Sequence, residues 1–432
     1  MKLLSRQLLI IALLLTVATP AVAQQSASTG FYKDLFMSGG VNLSSRKTLP
    51  AAESLELSYE YYAGKDVALQ NRLMAGNDQD TNGVLLYPDG APRFRMLYVN
   101  GGSATLHGKS LDLPGRQILR QFYRAGGSYC GSCAGSFLSG RNVDARDDRR
   151  LGYLHIFPYN TLNTGLKKER LGHVIPDNSP LLTYRTFGGD GYVADIYHNN
   201  GNWLSLKEGP HLEDTEVLAT YDSPGKKPHA GAAIWAYKIK PDEGRIVNIG
   251  SHPEGISEGE RLELTEACFL YALDGVGQPA IKGTLLDGEA WVMDKSTADK
   301  DPAHTRIGDR QYHHFRLEVP AGGCRVTLSL AGEQGIDYSL YLSQTGPAFA
   351  AEAEFGDNSA GHRKTLVRRL AAGSWYVSVE CRSTVEAAQH PDESHYVYSG
   401  DTRVLNGVRY QLRMDQKLRR SRRDDSGASA QQ

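Results

Sequence analysis

Over its 432 residues the chain carries almost no excess of charge. Its 48 Lys and Arg face 49 Asp and Glu, a formal net charge of −1. Without a global field to gather phosphates or anionic headgroups, nucleic-acid binding and charge-driven membrane binding are not expected. Beyond the first 23 residues no stretch is long and apolar enough to span a bilayer, so no transmembrane anchor is expected. Cysteine is scarce: Cys130, Cys133, Cys268, Cys324 and Cys381. Five is odd, so at least one thiol has no partner within the chain. Internal repeats are absent as well. What remains is a soluble globular composition with length enough for two domains.

The amino terminus has a pattern of its own. Lys2 and Arg6 precede the apolar run Leu8–Ala18, and Ala21-x-Ala23 closes it with small residues. This predicts a secretory signal peptide over 1–23 and an exported chain, periplasmic or extracellular. No Cys follows the run, so no lipid anchor is indicated. An oxidising compartment permits disulfides, and Cys324 with Cys381 is the candidate pair.

Residues 31–278 alternate strand and helix patterns. Arg93–Gly102 is a strand running into a double glycine. Ile118, Leu119, Phe122 and Tyr123 recur at helical spacing before Gly126-Gly127. Ser257 followed by Glu260 is a capping-box pattern at the head of a helix. Such alternation predicts an α/β fold with a mostly parallel sheet. From 283 to 415 the texture changes to short, alternating strands between Gly, Asp and Ser turns, the pattern of an all-β sandwich. The boundary lies near residue 280. Residues 416–432 are basic, then polar, and predict a disordered tail.

"GGSYCGSCAGSFLSG" (126–140) permits two chemistries. Cys130-x-x-Cys133 is the spacing of a redox dithiol. Gly131-Ser132-Cys133-Ala134-Gly135 is the spacing of a nucleophile elbow, where small neighbours let backbone approach a reactive side chain at a strand-to-helix turn. A thiol nucleophile needs a base. His252 follows a strand pattern, with Glu254 two residues on across Pro253, placed to orient it. Asn100-Gly101-Gly102 ends another strand and can offer N–H groups to an oxyanion. The dithiol reading gives these last two groups no role. Cys130 is either a packed strand residue or the partner in a disulfide that would switch Cys133 off.

Together, Gly-Gly after a strand, G-x-C-x-G and H-P-E resemble the class I glutamine amidotransferase-like superfamily. "GGSYCGSCAGSF", "DIYHNNGNWLS", "EVLATYD" and "GRIVNIGSHPE" are most similar to the group named for the amino-terminal domain of a biotin–protein ligase. The resemblance implies a flavodoxin-like sheet, with Cys133 as nucleophile, His252 as general base and Glu254 as orienting acid. It also implies an oxyanion hole from the N–H groups of Gly102 and Ala134. Glutamine-using members carry Gln four residues after the nucleophile; here that position is Phe137, and no synthetase domain follows to receive ammonia. The expected activity is therefore hydrolysis or acyl transfer at an amide or peptide-like bond. The substrate would be a small molecule, a peptide or a cell-envelope component, and no cofactor is required. The alternative is a non-catalytic envelope-binding or scaffold protein with the same fold. The segment 283–415, through "FRLEVPAGGCRVTLSL", "IDYSLYLS" and "LAAGSWYVSVE", resembles the bacterial pre-peptidase C-terminal domain, which implies an accessory module.

Other candidates are weaker in kind. Asp78, Asp80, Asn82 and Asp89 stand at calcium-loop positions 1, 3, 5 and 12, so a structural calcium is one expectation; a turn rich in Asp, Asn and Gly has the same letters. Asn100, Gly101, Phe137 and His198 are candidate pocket residues. His313 and His314 are adjacent on a strand, point to opposite faces, and are not expected to share a metal.

Overall fold

The computed structural model describes residues 30–38, 49–62, 67–143, 150–206, 213–297, 301–390 and 396–418. The expected signal peptide and residues 419–432 lie outside the described residues. The first part carries β1 (Lys33–Ser38), α1 (Pro50–Ser54), β2 (Tyr59–Tyr62), α2 (Val67–Ala75), β3 (Phe94–Val99), α3 (Ala104–Arg124), β4 (Ser128–Ser132), α4 (Ala134–Ser139), β5 (Leu162–Asn163), β6 (Glu169–Val174), β7 (Tyr192–His198), β8 (Asn202–Trp203), β9 (Thr215–Asp222), β10 (Ala232–Tyr237), β11 (Ile246–Ile249) and α5 (Gly259–Leu273). Nine of its strands form one sheet in the order β2-β1-β3-β4-β11-β10-β9-β6-β7.

The pairs from β2 to β11 are parallel. Those from β11 to β7 are antiparallel. The expected mostly parallel sheet is therefore mixed. The reason lies in the connections. Parallel neighbours need a long crossover, usually helical: α1 lies between β1 and β2, and α3 between β3 and β4. Among the described residues between β6 and β11 only short 3₁₀ turns intervene, so those strands pair antiparallel.

The central strands are buried on both faces, as a covered sheet requires. Along β3, Phe94, Leu97 and Val99 join one hydrophobic cluster with Leu111, Leu119 and Phe122 of α3. Met96 and Tyr98 join another with Leu264, Cys268 and Phe269 of α5. The α3 pattern begins earlier than expected, at Ala104, where Ser103 caps it by accepting from the Leu106 N–H at 3.4 Å. A break at Asp112 (φ 49°) precedes Pro114, which has no N–H to continue the ladder. The capping box at Ser257 is not formed; Glu258 is the N-cap of α5 and makes no side-chain cap bond.

The second part has β12 (Ile281–Thr284), β13 (Ala290–Met293), β14 (Tyr312–Val319), β15 (Cys324–Gly332), β16 (Tyr338–Ser343), β17 (Phe355–Asp357), β18 (Arg363–Leu370), β19 (Gly373–Cys381), β20 (Val385–Gln389), β21 (Tyr396–Gly400) and β22 (Tyr410–Leu418). A five-stranded sheet, β12-β14-β19-β16-β17, and a four-stranded sheet, β13-β22-β15-β18, share one core. Phe315, Val377 and Val379 come from the first, Leu328, Leu412 and Met414 from the second. Strand β22 runs through Leu418, so residues 416–418 belong to a ladder opposite Cys324–Val326 rather than to a tail.

The Cys324–Cys381 pairing is corrected. Both thiols are free. Cys381 pairs with Tyr338, whose ring lies against Gly332 at the far end of β15 from Cys324. Eight residues of strand are about 26 Å, whereas a disulfide needs Cα atoms within about 7 Å.

Charged groups pin the two parts together. Arg93, just before β3, is buried and places Nη2 3.1 Å from Asp309 and Nη1 3.6 Å from Asp80. Asp89 is buried 2.7 Å from Lys282 Nζ and 3.5 Å from His313 Nε2. The Tyr87 hydroxyl donates to the Asp309 carbonyl at 2.8 Å. The calcium reading fails on these contacts. Asp80 and Asp89 face different cations of the chain itself, and among the described residues no cluster of acidic, His or Cys side chains could hold a metal. The letters serve a local turn, in which the Asn77 side chain accepts from the N–H groups of Gln79 and Asp80. A cavity of about 730 Å³ opens at the same seam, lined by residues such as Arg95, Tyr312 and Phe349 and by none of the candidate nucleophile-site residues. Among the described residues no helix is long and apolar enough to cross a membrane.

Candidate active site

Strand β4 lies between β3 and β11 and delivers Cys133 to the sheet's carboxyl edge, where α4 begins. Cys133 has φ 45° and ψ −100°, a sparsely populated conformation for a residue with a side chain. Such strain costs about 1–3 kcal/mol and persists only when surrounding bonds enforce it. Here the Cys133 N–H donates to the Ile249 carbonyl at 2.8 Å and its carbonyl accepts from Phe137 N–H at 3.0 Å. The elbow glycines are required by close approach. A Cβ on Gly131 would lie 2.5 Å from the Gly135 carbonyl carbon, and one on Gly135 would lie 2.0 Å from the Val99 oxygen.

His252 follows β11 after Gly250-Ser251, and its N–H donates to the Tyr197 carbonyl at 2.9 Å. Its Nδ1 is 2.9 Å from Glu254 Oε1. An ionised carboxylate can only accept, so Nδ1 carries the proton and Nε2 is left for the thiol. Cys133 lies close enough to this ring to act on its charge. Burial disfavours the imidazolium, but the Glu254 charge, the nearby Cys133 and the hydrogen bond to Glu254 outweigh it and push His252 up to about 11. The imidazole is thus held protonated beside the sulfur at neutral pH. Among the described residues Glu254 Oε2 has no partner.

The double glycine after β3 closes against His252. A Cβ on Gly101 would lie 2.1 Å from His252 Cε1. Gly102 has φ 139°, which suits glycine. Among the described residues the N–H groups of Gly102 and Ala134 have no acceptor, which is what an oxyanion hole needs. Asn100 is buried with its Oδ1 unpartnered among the described residues.

Two of the pocket candidates are buried. Phe137 packs in the core with Ala134 and Leu138. His198 is fully buried behind the site, its Nδ1 2.9 Å from Ser251 Oγ and its Nε2 2.7 Å from Thr164 Oγ1. Cys130 is buried in the α5-side cluster with Cys268, and burial pushes its thiol well up, away from reactivity. The structure adds the Asn199 carbonyl, 3.8 Å from Cys133 Sγ, and the partly exposed ring of Tyr197, 5.8 Å from that of His252. A backbone carbonyl leaves no signal in residue letters. Tyr197 could have been flagged only by its place beside His198.

No family model and no curated protein matches the chain. Among solved structures it is similar to a glutamine amidotransferase, at 15% identity and TM-score 0.34, over 56% of this chain and 98% of that one. It is similar to the pre-peptidase C-terminal domain of a collagenase from Bacillus anthracis, at 13% identity and TM-score 0.20, over 32% of this chain and all of that one. A third similarity is to PliG of Aeromonas hydrophila, a periplasmic inhibitor of g-type lysozyme, at 12% identity and TM-score 0.18, over 32% of this chain and all of that one.

Proposed function

We propose that the chain is an exported cysteine-dependent hydrolase or acyl transferase acting on an amide or peptide-like bond. Residues 31–278 supply the chemistry, and 283–415 are an accessory sandwich module. The reading rests on one arrangement: a strained Cys133 at a strand-to-helix turn, near an imidazole whose Nδ1 is bound by Glu254.

In this mechanism Cys133 Sγ attacks the carbonyl carbon, and the oxyanion that forms is received by the N–H groups of Gly102 and Ala134. His252 holds the thiol proton and passes it to the leaving amine as the C–N bond breaks. The thioester then yields to water, with His252 taking the water's proton and returning it to sulfur; an amine in place of water gives transfer. Glu254 keeps Nδ1 protonated and so directs Nε2 at the reacting atoms.

The test is amine release from libraries of peptides, muropeptides and simple amides. Cys133→Ala should abolish it and Cys130→Ser should retain most of it. Equal loss in both variants, with disulfide reductase activity in the parent, would overturn the proposal in favour of a dithiol enzyme.

A further inference from the structure

Behind the nucleophile lies a buried polar chain that the mechanism does not use. Ser251, next to His252 and fully buried, receives His198 Nδ1 at 2.9 Å and His173 Nε2 at 3.2 Å, and lies 3.4 Å from the Tyr221 hydroxyl. That hydroxyl donates to the Asn202 carbonyl at 3.0 Å, and Asn202 Nδ2 donates to Ser136 Oγ on α4 at 2.9 Å. At the other end His198 Nε2 meets Thr164 Oγ1 at 2.7 Å. Both histidine rings stand edge-on to Tyr221, with centroids 5.1 and 5.5 Å away.

We infer that His198 is a positioning residue of the nucleophile site: through Ser251 it locks the segment carrying His252 against the 198–201 turn whose Asn199 carbonyl faces Cys133. This rests on the Cys133–His252 reading above. It has no room to act as a second base, since both ring nitrogens are occupied and no edge reaches solvent.

The backbone supports the same role. The turn and the base segment touch directly: a Cβ on Gly201 would lie 1.7 Å from the Gly250 oxygen and 2.7 Å from His198 Cε1. Asn199 O, 3.8 Å from Sγ, and Tyr197 O, which accepts from the His252 N–H at 2.9 Å, flank His198 in sequence. Turning or losing one ring therefore releases supports on both the sulfur and the base. Burial first, and the nearby charge of His252 second, push His198 down to about 4, so the ring stays neutral at pH 7, with one nitrogen donating and the other accepting. Proton supply orders the chain. The Tyr221 proton is committed to Asn202. Ser251 therefore donates to the Tyr221 oxygen and accepts from Nδ1–H of His198 and Nε2–H of His173, while the Thr164 hydroxyl donates to Nε2 of His198. His173 Nδ1, without a partner among the described residues, is then a bare acceptor, the cheaper kind of buried orphan.

The test reads the site without a known substrate. The full-length protein is alkylated with iodoacetamide and the Cys133 peptide followed by mass spectrometry, in the parent, Ser251→Ala, His198→Leu and His198→Asn; thermal melts verify folding. Ser251→Ala and His198→Leu should slow alkylation at neutral pH about tenfold, the lower end of the loss seen when partners that orient metal-binding histidines are removed. The loss should be greater at about pH 6 than at about pH 9, because the thiolate, the form that reacts, is scarcer at low pH and depends more on a correctly placed imidazole. His198→Asn, which keeps an amide at the Nδ1 position facing Ser251, should recover most of the rate. Folded Ser251→Ala and His198→Leu proteins with parental rates and pH profile would overturn the assignment, as would an Asn variant no better than Leu. If His198→Leu does not fold, Ser251→Ala decides. His252→Ala is the separate control. Were it to leave the parental rate unchanged, the base itself would be misassigned and this role would fall with it. A slow His252→Ala beside parental positioning variants would refute the positioning role alone.

Discussion

Asp309→Ala would remove the nearest anion facing a fully buried arginine. Arg93 has 2% of its side chain exposed, lies over the Tyr32 ring at 4.6 Å, and finds Asp309 at 3.1 Å, Asp80 at 3.6 Å and the Val84 carbonyl at 3.2 Å. Breaking a buried pair by removing one partner costs about 3–5 kcal/mol, since the other charge is left uncompensated. Asp80, pushed up to about 6 by burial against the pull of Arg93, is still ionised at pH 7 and goes on balancing the guanidinium. The loss should therefore sit at the lower end, about 3 kcal/mol, over a hundredfold in the folded-to-unfolded ratio. Arg93→Met should be worse, near 5 kcal/mol, because it leaves two carboxylates buried together. The double variant Arg93→Met/Asp309→Leu should lose much less than the sum of the singles. Urea unfolding measures this. Trp235 reports on the large sheet and Trp375 on the five-stranded sheet, so fluorescence from variants keeping one or the other tells whether both parts melt together. A loss below about 1 kcal/mol, the range of solvent-exposed pairs, would refute the reasoning.

Gly101→Ala puts a methyl 2.1 Å from His252 Cε1. It should displace the ring by about 1 Å and slow Cys133 alkylation about a hundredfold while the melt changes little; a parental rate would remove Gly101 from the site. Glu254→Gln should relax His252. A raised folded-state pKa contributes stability that is complete below about 6.5 and lost as pH rises through about 11, so the parent should lose stability between pH 7 and 11 and the variant less, in urea titrations at each pH. His107, His198 and His313 are pushed down to about 4 by burial and His173 and His314 to about 3. The unfolded chain binds these protons first. Stability should fall as pH drops from about 6.5 to 4, by roughly 1 kcal/mol per histidine per pH unit; a flat acid limb would mean the rings are solvated. A fragment ending at residue 278 takes Asp309, Lys282 and His313 from Arg93 and Asp89 and should be insoluble or far less stable than the whole chain on expression and urea titration.

What could be read beforehand is what short-range geometry dictates. Gly131, Cys133 and Gly135 are legible because a side chain at either glycine would collide with backbone, and H-P-E is legible because His252 and Glu254, which meet at 2.9 Å, lie two residues apart. The antiparallel half of the sheet was not, since strand direction depends on missing crossover helices, an absence that residue patterns show poorly. The acidic loop misled for a related reason: an Asx turn and a cation loop share letters, and what separates them is a set of partners, Arg93, Lys282, His313 and Asp309, mostly distant in sequence. The letters alone place His198 in the pocket, because it stands beside Tyr197 and Asn199. Burial, which residue type does not give, moves it from the face of the site to its back.

The seam and the site are joined by one strand. Arg93 immediately precedes β3, and Asn100-Gly101-Gly102 immediately follows it. Six residues of strand span about 20 Å, with no flexible element between the buried ion pair and the loop that closes on His252. Both faces of β3 are packed, so it cannot slide to absorb a change at either end. The second part therefore does more than append a surface to the first. By clamping Arg93 it holds the residue that enters β3, the strand whose far end runs into Asn100-Gly101-Gly102. Under the proposed mechanism the loop that closes on His252 would then be braced from two sides, by the Arg93 contacts along β3 and by the proposed Ser251–His198 chain through a buried hydroxyl.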